Sequence, residues 1–293
     1  MIVMSIGIFD GIHIGHEKIL EMLINMGRER NTKTLILTIL YPMNYYKQNF
    51  DGLIMPIVER VSMLQDKVDI VETLDLIEIK NLDPYTFFEK WIKEKGVVGL
   101  VVGEDFKFGK NGEGDVNLLE KFCRDSGVEL VVAEDVKING KRVSSSIIRK
   151  LIKEGKVEEA SKFLGRPFKI TGKVYKDTGF GHKIGFPTAN IDRGHEILVI
   201  PKFGVYSVKV TLPWGEERVG VANIGIRPTV DGKDIKYEVH ILDFDGDLYG
   251  RFLEIDLISF LRSEKKFNSF EELKEAISED VKKVKEQVEE FLV

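Results

Sequence analysis

Hydrophobic positions in the first 155 residues follow two alternating rhythms. Short apolar runs at 2–6, 34–40, 76–79, 97–102 and 129–133 are separated by stretches at 17–30, 59–66, 84–95 and 118–126. In those stretches apolar residues recur every three or four positions, as Ile19, Leu20, Leu23 and Ile24 do. An apolar run without polar alternation suits a strand covered on both faces, and the wider spacing suits an amphipathic helix. Their alternation predicts a Rossmann-like α/β domain on a parallel sheet. Two more helices are expected at 147–154 and 157–164, after which Gly165-Arg166-Pro167 breaks the rhythm. From 169 to 260 glycine-bounded runs at 170–176, 204–212, 218–224, 236–244 and 252–258 read as strands, with Tyr206, Val208 and Val210 alternating against Ser207, Lys209 and Thr211. Closely spaced strands of this kind predict a small barrel or sandwich. A final helix opens on a capping box, Ser269 with Glu272, and carries one apolar stripe: Phe270, Leu273, Ile277, Val281, Val284, Val288 and Phe291. The expected domains are 1–157 and 158–293.

Composition narrows the class. A chain of 293 residues, 43% hydrophobic and 31% charged, has room for two ordinary cores and is neither disordered nor fibrous. With 43 basic against 48 acidic residues the net charge is −5, so no long nucleic-acid footprint is expected, while small anionic ligands are. The one cysteine, Cys123, has no partner for an intrachain bridge, which suits a reducing compartment and a buried thiol. The N-terminus lacks a basic lead and a cleavage site, and no stretch approaches the roughly 18 apolar residues needed to span a bilayer. The expectation is a cytoplasmic protein without membrane or nucleic-acid partners, a monomer or weak homo-oligomer.

Candidate chemistry begins at Gly7-Ile-Phe-Asp-Gly-Ile-His-Ile-Gly-His16, between the first strand and the first helix. Open parallel sheets bind ligands at this edge, and a glycine-rich turn leading into a helix N-terminus presents backbone N–H groups to an anion. Gly7, Phe9, Asp10 and Gly11 would form the phosphate turn. His13 and His16, two of five histidines, could donate hydrogen bonds to charge building on an attacked α-phosphate. A zinc pair is disfavoured, since no cysteine or third histidine sits nearby at ligand spacing. Val143-Ser-Ser-Ser-Ile-Ile-Arg149 starts another helix: Ser144, Ser145 and Ser146 could hold phosphate oxygens with Arg149 one turn further on, or could simply cap the helix. Gly103-Glu-Asp-Phe-Lys-Phe-Gly109 reads as a strand-to-loop turn, with Asp105 and Phe106 at its centre.

The second half carries no GxxxxGK[ST], which excludes a Walker-type phosphate cradle. It has Gly179-Phe-Gly-His-Lys-Ile-Gly-Phe-Pro-Thr-Ala-Asn190 instead. Gly179, Gly181, Lys183 and Gly185 would form a flap over ATP phosphates. Thr188 and Asn190, on one side of a strand-like segment, would offer oxygens to Mg²⁺. A glycine-rich hairpin followed by an edge proline explains the same residues.

Taken together, GxFDGxHxGH, Gly103–Gly109 and SSSxxR resemble the adenylyltransferase half of the bacterial bifunctional riboflavin kinase/FAD synthetases. GFPTAN, Gly204-Val-Tyr-Ser-Val208, Gly220-Val-Ala-Asn-Ile-Gly-Ile-Arg-Pro-Thr229, Glu238-Val-His-Ile-Leu-Asp-Phe244, Gly246-Asp-Leu-Tyr-Gly250 and Phe260-Leu-Arg-Ser-Glu-Lys-Lys-Phe267 follow in the order of its kinase half. The resemblance spans nearly the whole chain. It implies a nucleotidyltransferase domain followed by a Greek-key β-barrel riboflavin kinase domain with a C-terminal helix. The implied substrates and products are riboflavin, FMN, FAD and ATP, with Mg²⁺. It assigns His13, His16, Ser146 and Arg149 to ATP while FMN attacks the α-phosphate, and Asp105 and Phe106 to the nucleotide and flavin pocket. Glu238 becomes the acceptor of the riboflavin 5′-hydroxyl proton, where an isolated reading makes it a solvent-facing strand residue. His240, on the same strand face, reads as structural, and Arg262 and Phe267 fall in the flavin-contacting segment.

The chain departs from the family pattern in three places. Thr38-Ile-Leu-Tyr-Pro-Met43 stands where many relatives have T-F-x-P-H-P, so Met43 to Tyr46 are expected against the flavin ring; Ser146 replaces a threonine, and Ser263 a proline. Two alternatives stay open: a kinase-dominant enzyme with weak adenylyltransferase activity, and a non-catalytic flavin or nucleotide sensor. A polyol-phosphate cytidylyltransferase would share the histidine motif but leave 170–267 unexplained.

Overall fold

The computed structural model describes residues 1–45, 47–176, 185–229 and 232–291, with side chains described outside 227–229, 232–233 and 288–291. The chain divides into two compact units, Met1–Ile147 and Ile148–Val293. Among the described residues no helix is long and apolar enough to cross a membrane.

The first unit is a parallel sheet between two apolar layers. Strand β1 (Ile2–Gly7) is followed by α1 (Ile14–Arg30), β2 (Lys33–Ile39), α2 (Ile57–Gln65) and β3 (Ile70–Leu74). Two short helices, α3 (Leu76–Ile79) and α4 (Pro84–Phe88), lead through a π-helical turn, Glu89–Lys93, to β4 (Val97–Gly103), α5 (Val116–Ser126) and β5 (Glu129–Ala133). The strand order is β3-β2-β1-β4-β5, with every pairing parallel. The winding direction therefore reverses between β1 and β4, and the loop after β1 opens at that switch point. Residues adjacent on one strand enter opposite cores, as uninterrupted apolar strands require: Val3, Ile36 and Val101 pack with Leu20 and Leu23, and Met4, Leu35 and Leu100 with Leu119 and Cys123.

One expected strand was misplaced. Residues 76–79 form α3, because Asp75 caps them by accepting a hydrogen bond from the Ile77 N–H at 2.9 Å. The strand is β3, an edge strand in which only Leu74 is buried and Glu72 interrupts the apolar run.

A hairpin, β6 (Lys137–Ile138) and β7 (Lys141–Arg142), precedes α6 (Ser145–Lys153), within which the division between the units falls; α7 (Val157–Leu164) follows. The second unit is a closed barrel of β8 (Phe168–Tyr175), β9 (Ala189–Asp192), β10 (Gly204–Thr211), β11 (Glu217–Thr229), β12 (Gly232–Ile241) and β13 (Phe252–Arg262), in the order β10-β11-β12-β9-β8-β13. Its pairings are antiparallel, and the connections β9 to β10 and β12 to β13 each skip two strands, as in a Greek key. Tyr206, Val208 and Val210 are fully buried, as the alternation predicts.

Helix α8 (Phe270–Phe291) closes the chain. Half of its capping box forms, the Glu272 N–H donating to Ser269 Oγ at 3.1 Å, while the Glu272 carboxylate accepts from the N–H one residue before the cap, that of Asn268, at 2.9 Å. The expected stripe is corrected at its start. Phe270 is 62% exposed, whereas Ala276, Asp280 and Val284 are buried, Val284 against Val205, Val221 and Leu242. The side chains of Val288 and Phe291 lie outside the described residues.

Candidate active sites

The loop from β1 to α1 holds the first site. Phe9 and Ile12 are buried at φ of 53° and 37°, and Gly11 adopts φ 84°, the left-handed region that side chains rarely enter. Asp10 keeps the loop in this shape. Its carboxylate, 1% exposed, accepts from the Ile54 N–H at 2.9 Å, and its carbonyl accepts from Ser145 Oγ at 2.9 Å. The start of α6 is thereby bound to the histidine loop. Ser144 takes the capping role, its Oγ accepting from the Ile147 N–H at 3.4 Å; Ser146 is exposed, and Arg149 lies one turn further along α6.

His13 caps α1, its Nδ1 accepting from the His16 N–H at 3.3 Å. That bond places the neutral ring's hydrogen on Nε2. A Cβ at Gly15 would stand 3.2 Å from the His13 ring, which explains the glycine between the two histidines. The rings stack with centroids 3.7 Å apart, and Phe9 tilts onto His16 at 5.1 Å. Burial above all, then His13 and the Arg60 guanidinium, hold His16 well below the ordinary imidazole range, so it is neutral at pH 7.

Sequence reasoning missed Arg60. It is wholly buried on α2 and donates to the Leu40 carbonyl at 2.7 Å, tying that helix to the loop after β2. The available signal was its spacing, one turn before the buried Leu64.

Beside the loop an apolar cleft of about 610 Å³ is lined by Ile8, Tyr41, Met43, Phe87, Phe106 and Phe108, among others. Phe106 stacks on Phe108 at 5.7 Å. Asp105 does not line this cleft; its carboxylate pairs with Arg142 at 2.7 Å. Tyr41 and Met43 bring the divergent loop to the cleft wall, while Tyr46 lies outside the described residues.

In the barrel, two cavities meet at Thr188. One, of about 240 Å³, is lined by Glu238, Asn223, Arg262, Phe267, Leu273 and Ile277, and the other, of about 230 Å³, by Pro187, Phe244, Asp247 and Tyr249; Thr188 lines both. Strand register sets Glu238 beside Asn190 on β9 and Asn223 on β11. The Glu238 carboxylate meets Lys236 Nζ at 2.6 Å. His240 Nδ1 lies 2.8 Å from the Pro187 carbonyl, holding the segment that carries Thr188.

Arg262 is committed to Asp280. Its Nε reaches both carboxylate oxygens at 3.0 Å and its Nη2 donates to Oδ2 at 2.7 Å, so α8 is pinned to the barrel where Leu273 and Ile277 form the cavity wall. Those two residues were visible only as helix core. Asn190 is buried, and its Oδ1 has no partner among the described residues. Gly185 begins the described stretch at φ 85°; Gly179, Gly181 and Lys183 lie outside the described residues. Among the described residues no group of three or more His, Cys, Asp or Glu is placed to hold a metal.

Residues 1–147 match the family model for FAD synthetase, and residues 164–288 that for riboflavin kinase. The chain belongs to the riboflavin kinase/FAD synthetase family. Family members named bifunctional riboflavin kinase/FMN adenylyltransferase, from Buchnera aphidicola subsp. Schizaphis graminum and from Haemophilus influenzae, are each 34% identical over 96% of this chain and 92% of their own length. A solved structure described as a macrolide-efflux protein from Streptococcus pneumoniae superposes with a TM-score of 0.86 at 28% identity, covering 97% of this chain and 93% of that one. The family's two activities, riboflavin kinase and FMN adenylyltransferase, are those of this chain, and the fold resemblance holds in both halves: a parallel-sheet α/β unit, then a six-stranded closed barrel with a terminal helix.

Proposed function

We propose that the two reactions are divided between the two sites, one attacking the inner and the other the terminal phosphorus of ATP. In the α/β unit, a phosphate oxygen of FMN attacks the α-phosphorus and pyrophosphate departs. His13, through Nε2–H, and neutral His16 donate to the oxygens that gain charge, assisted by the N-terminus of α1. Ser144, Ser145 and Ser146 with Arg149 hold the departing phosphates, and the aromatic cleft around Phe106 receives the flavin ring. In the barrel, nucleotide occupies the Phe244 and Tyr249 cavity and riboflavin the Glu238 cavity. Glu238 accepts the proton of the attacking 5′-hydroxyl as the γ-phosphoryl group crosses at Thr188. Thr188 and Asn190 fit Mg²⁺, a hard ion that prefers oxygen, since the Asn190 Oδ1 is buried and lacks a partner among the described residues. When bound, Mg²⁺ neutralises charge on the phosphate oxygens. The lone buried thiol and the ATP requirement suit the cytoplasm.

The observation that carries this assignment is that one residue, Thr188, lines both the cavity that holds Glu238 and the cavity walled by Phe244 and Tyr249. Incubation with riboflavin, MgATP and pyrophosphatase, resolved by chromatography, is expected to yield FMN and then FAD, and EDTA to stop both. Unchanged riboflavin would overturn the kinase assignment; FMN that never becomes FAD would overturn the adenylyltransferase one.

A further inference from the structure

Lys236 belongs to no motif that the two reactions required, yet it stands inside the riboflavin cavity. It precedes Glu238 by two residues on β12, so both side chains leave the same face of the strand. Their charged ends meet at 2.6 Å, each side chain 23% exposed. Across the ladder Lys236 faces Gly225, and a Cβ there would run into the Glu264 carboxylate, which lines the same cavity. Lys236, Glu238 and Glu264 thus line one cavity, with the ammonium at the Glu238 carboxylate. A partly exposed ion pair of this kind helps to hold its strand, as the Arg262–Asp280 pair helps to hold α8. A flexible carboxylate that must meet a hydroxyl proton, however, gains much from being held in one place. Misplacement by about 1 Å can cost roughly 100-fold in rate.

We propose that Lys236 is a positioning residue for phosphoryl transfer, fixing the Glu238 carboxylate, as an oriented anion, where the riboflavin hydroxyl arrives. This rests on the assignment of Glu238 as proton acceptor. The proton passes from the hydroxyl to Glu238 as the oxygen–phosphorus bond forms and the bond to the ADP oxygen breaks; Lys236 exchanges no proton. Lys236→Met is expected to lower the kinase kcat by about 10- to 100-fold while leaving KM for riboflavin and ATP within about twofold. Lys236→Arg should recover most of the loss, since it keeps the charge. Combined with Glu238→Gln, Lys236→Met should add almost nothing to the defect of Glu238→Gln alone, because the lysine acts only through the carboxylate.

A normal kcat in Lys236→Met, a loss confined to KM, no recovery with arginine, or defects that multiply with Glu238→Gln would each overturn the proposal. A Glu238→Gln enzyme with normal kinase kcat would instead overturn the underlying assignment, so the two failures are distinguishable. Circular dichroism and a cooperative melting transition report whether the barrel has folded. Should the methionine variant fail to fold, Lys236→Gln serves in its place, and a normal kcat there overturns the proposal equally.

Discussion

His13 is both a helix cap and a proposed hydrogen-bond donor to the reacting phosphate, and the two roles can be separated by substitution. Asparagine caps well but cannot reproduce the imidazole Nε2–H, whereas alanine does neither. His13→Ala should therefore lose about 1 kcal/mol of stability and lower the adenylyl-transfer kcat by roughly 10²–10³-fold. His13→Asn should lose a similar amount of rate with a near-normal melting temperature; a near-normal rate in His13→Asn would show that the ring serves only as a cap. His16 makes a pH prediction. Its folded pKa is depressed, so between that value and the unfolded value of about 6.5 the unfolded chain binds the extra proton. Stability from this residue is complete above pH 6.5 and is lost as pH falls below it. The melting temperature of the wild type should consequently drop more steeply from pH 7.5 to 5.5 than that of His16→Gln, and parallel curves would count against the depressed pKa. The histidines were legible in the sequence because their spacing places both at one helix start. Arg60 was not, because its importance lies in burial beside residues distant in sequence.

At the scale of elements, register turns a strand pattern into a site. Thr188, Asn190 and Glu238 could be named from sequence, but their assembly depends on β9 pairing with β12 rather than with β10, a consequence of the Greek-key closure that local periodicity does not encode. The terminal helix illustrates the opposite difficulty. Its start was correctly located, yet the pattern put exposed Phe270 in the buried stripe and could not say that Leu273 and Ile277 face a cavity or that Asp280, a charged residue 1% exposed, anchors the helix. Likewise, the short apolar segment 76–79 reads as a strand by its pattern but is a helix, because Asp75 caps it. Removing one member of a buried pair leaves the other uncompensated. Asp280→Ala should then destabilise the barrel by about 3 kcal/mol and weaken riboflavin binding as the α8 wall loosens, without slowing FAD formation from supplied FMN. Unchanged riboflavin affinity in the folded variant would mean that the wall does not depend on the Arg262–Asp280 pair.

At the scale of the whole molecule, the proposed kinase groups lie within one compact unit, and the histidine loop with its aromatic cleft lies within the other. Each chemistry is therefore expected to survive loss of the other. Glu238→Ala should cut FMN formation by about 10²-fold or more while converting supplied FMN to FAD at the normal rate, and His13→Ala should do the reverse. Mixing the two variants tests whether the intermediate is free. If FMN formed on the His13→Ala protein diffuses away before adenylylation, it will be captured by the intact histidine loop of the Glu238→Ala protein. FAD should then accumulate from riboflavin after a lag that shortens as the Glu238→Ala protein is increased. FMN that accumulates on the His13→Ala protein while no FAD forms would mean that the intermediate is not released. Loss of both reactions in either folded variant would mean that the two sites are not separate.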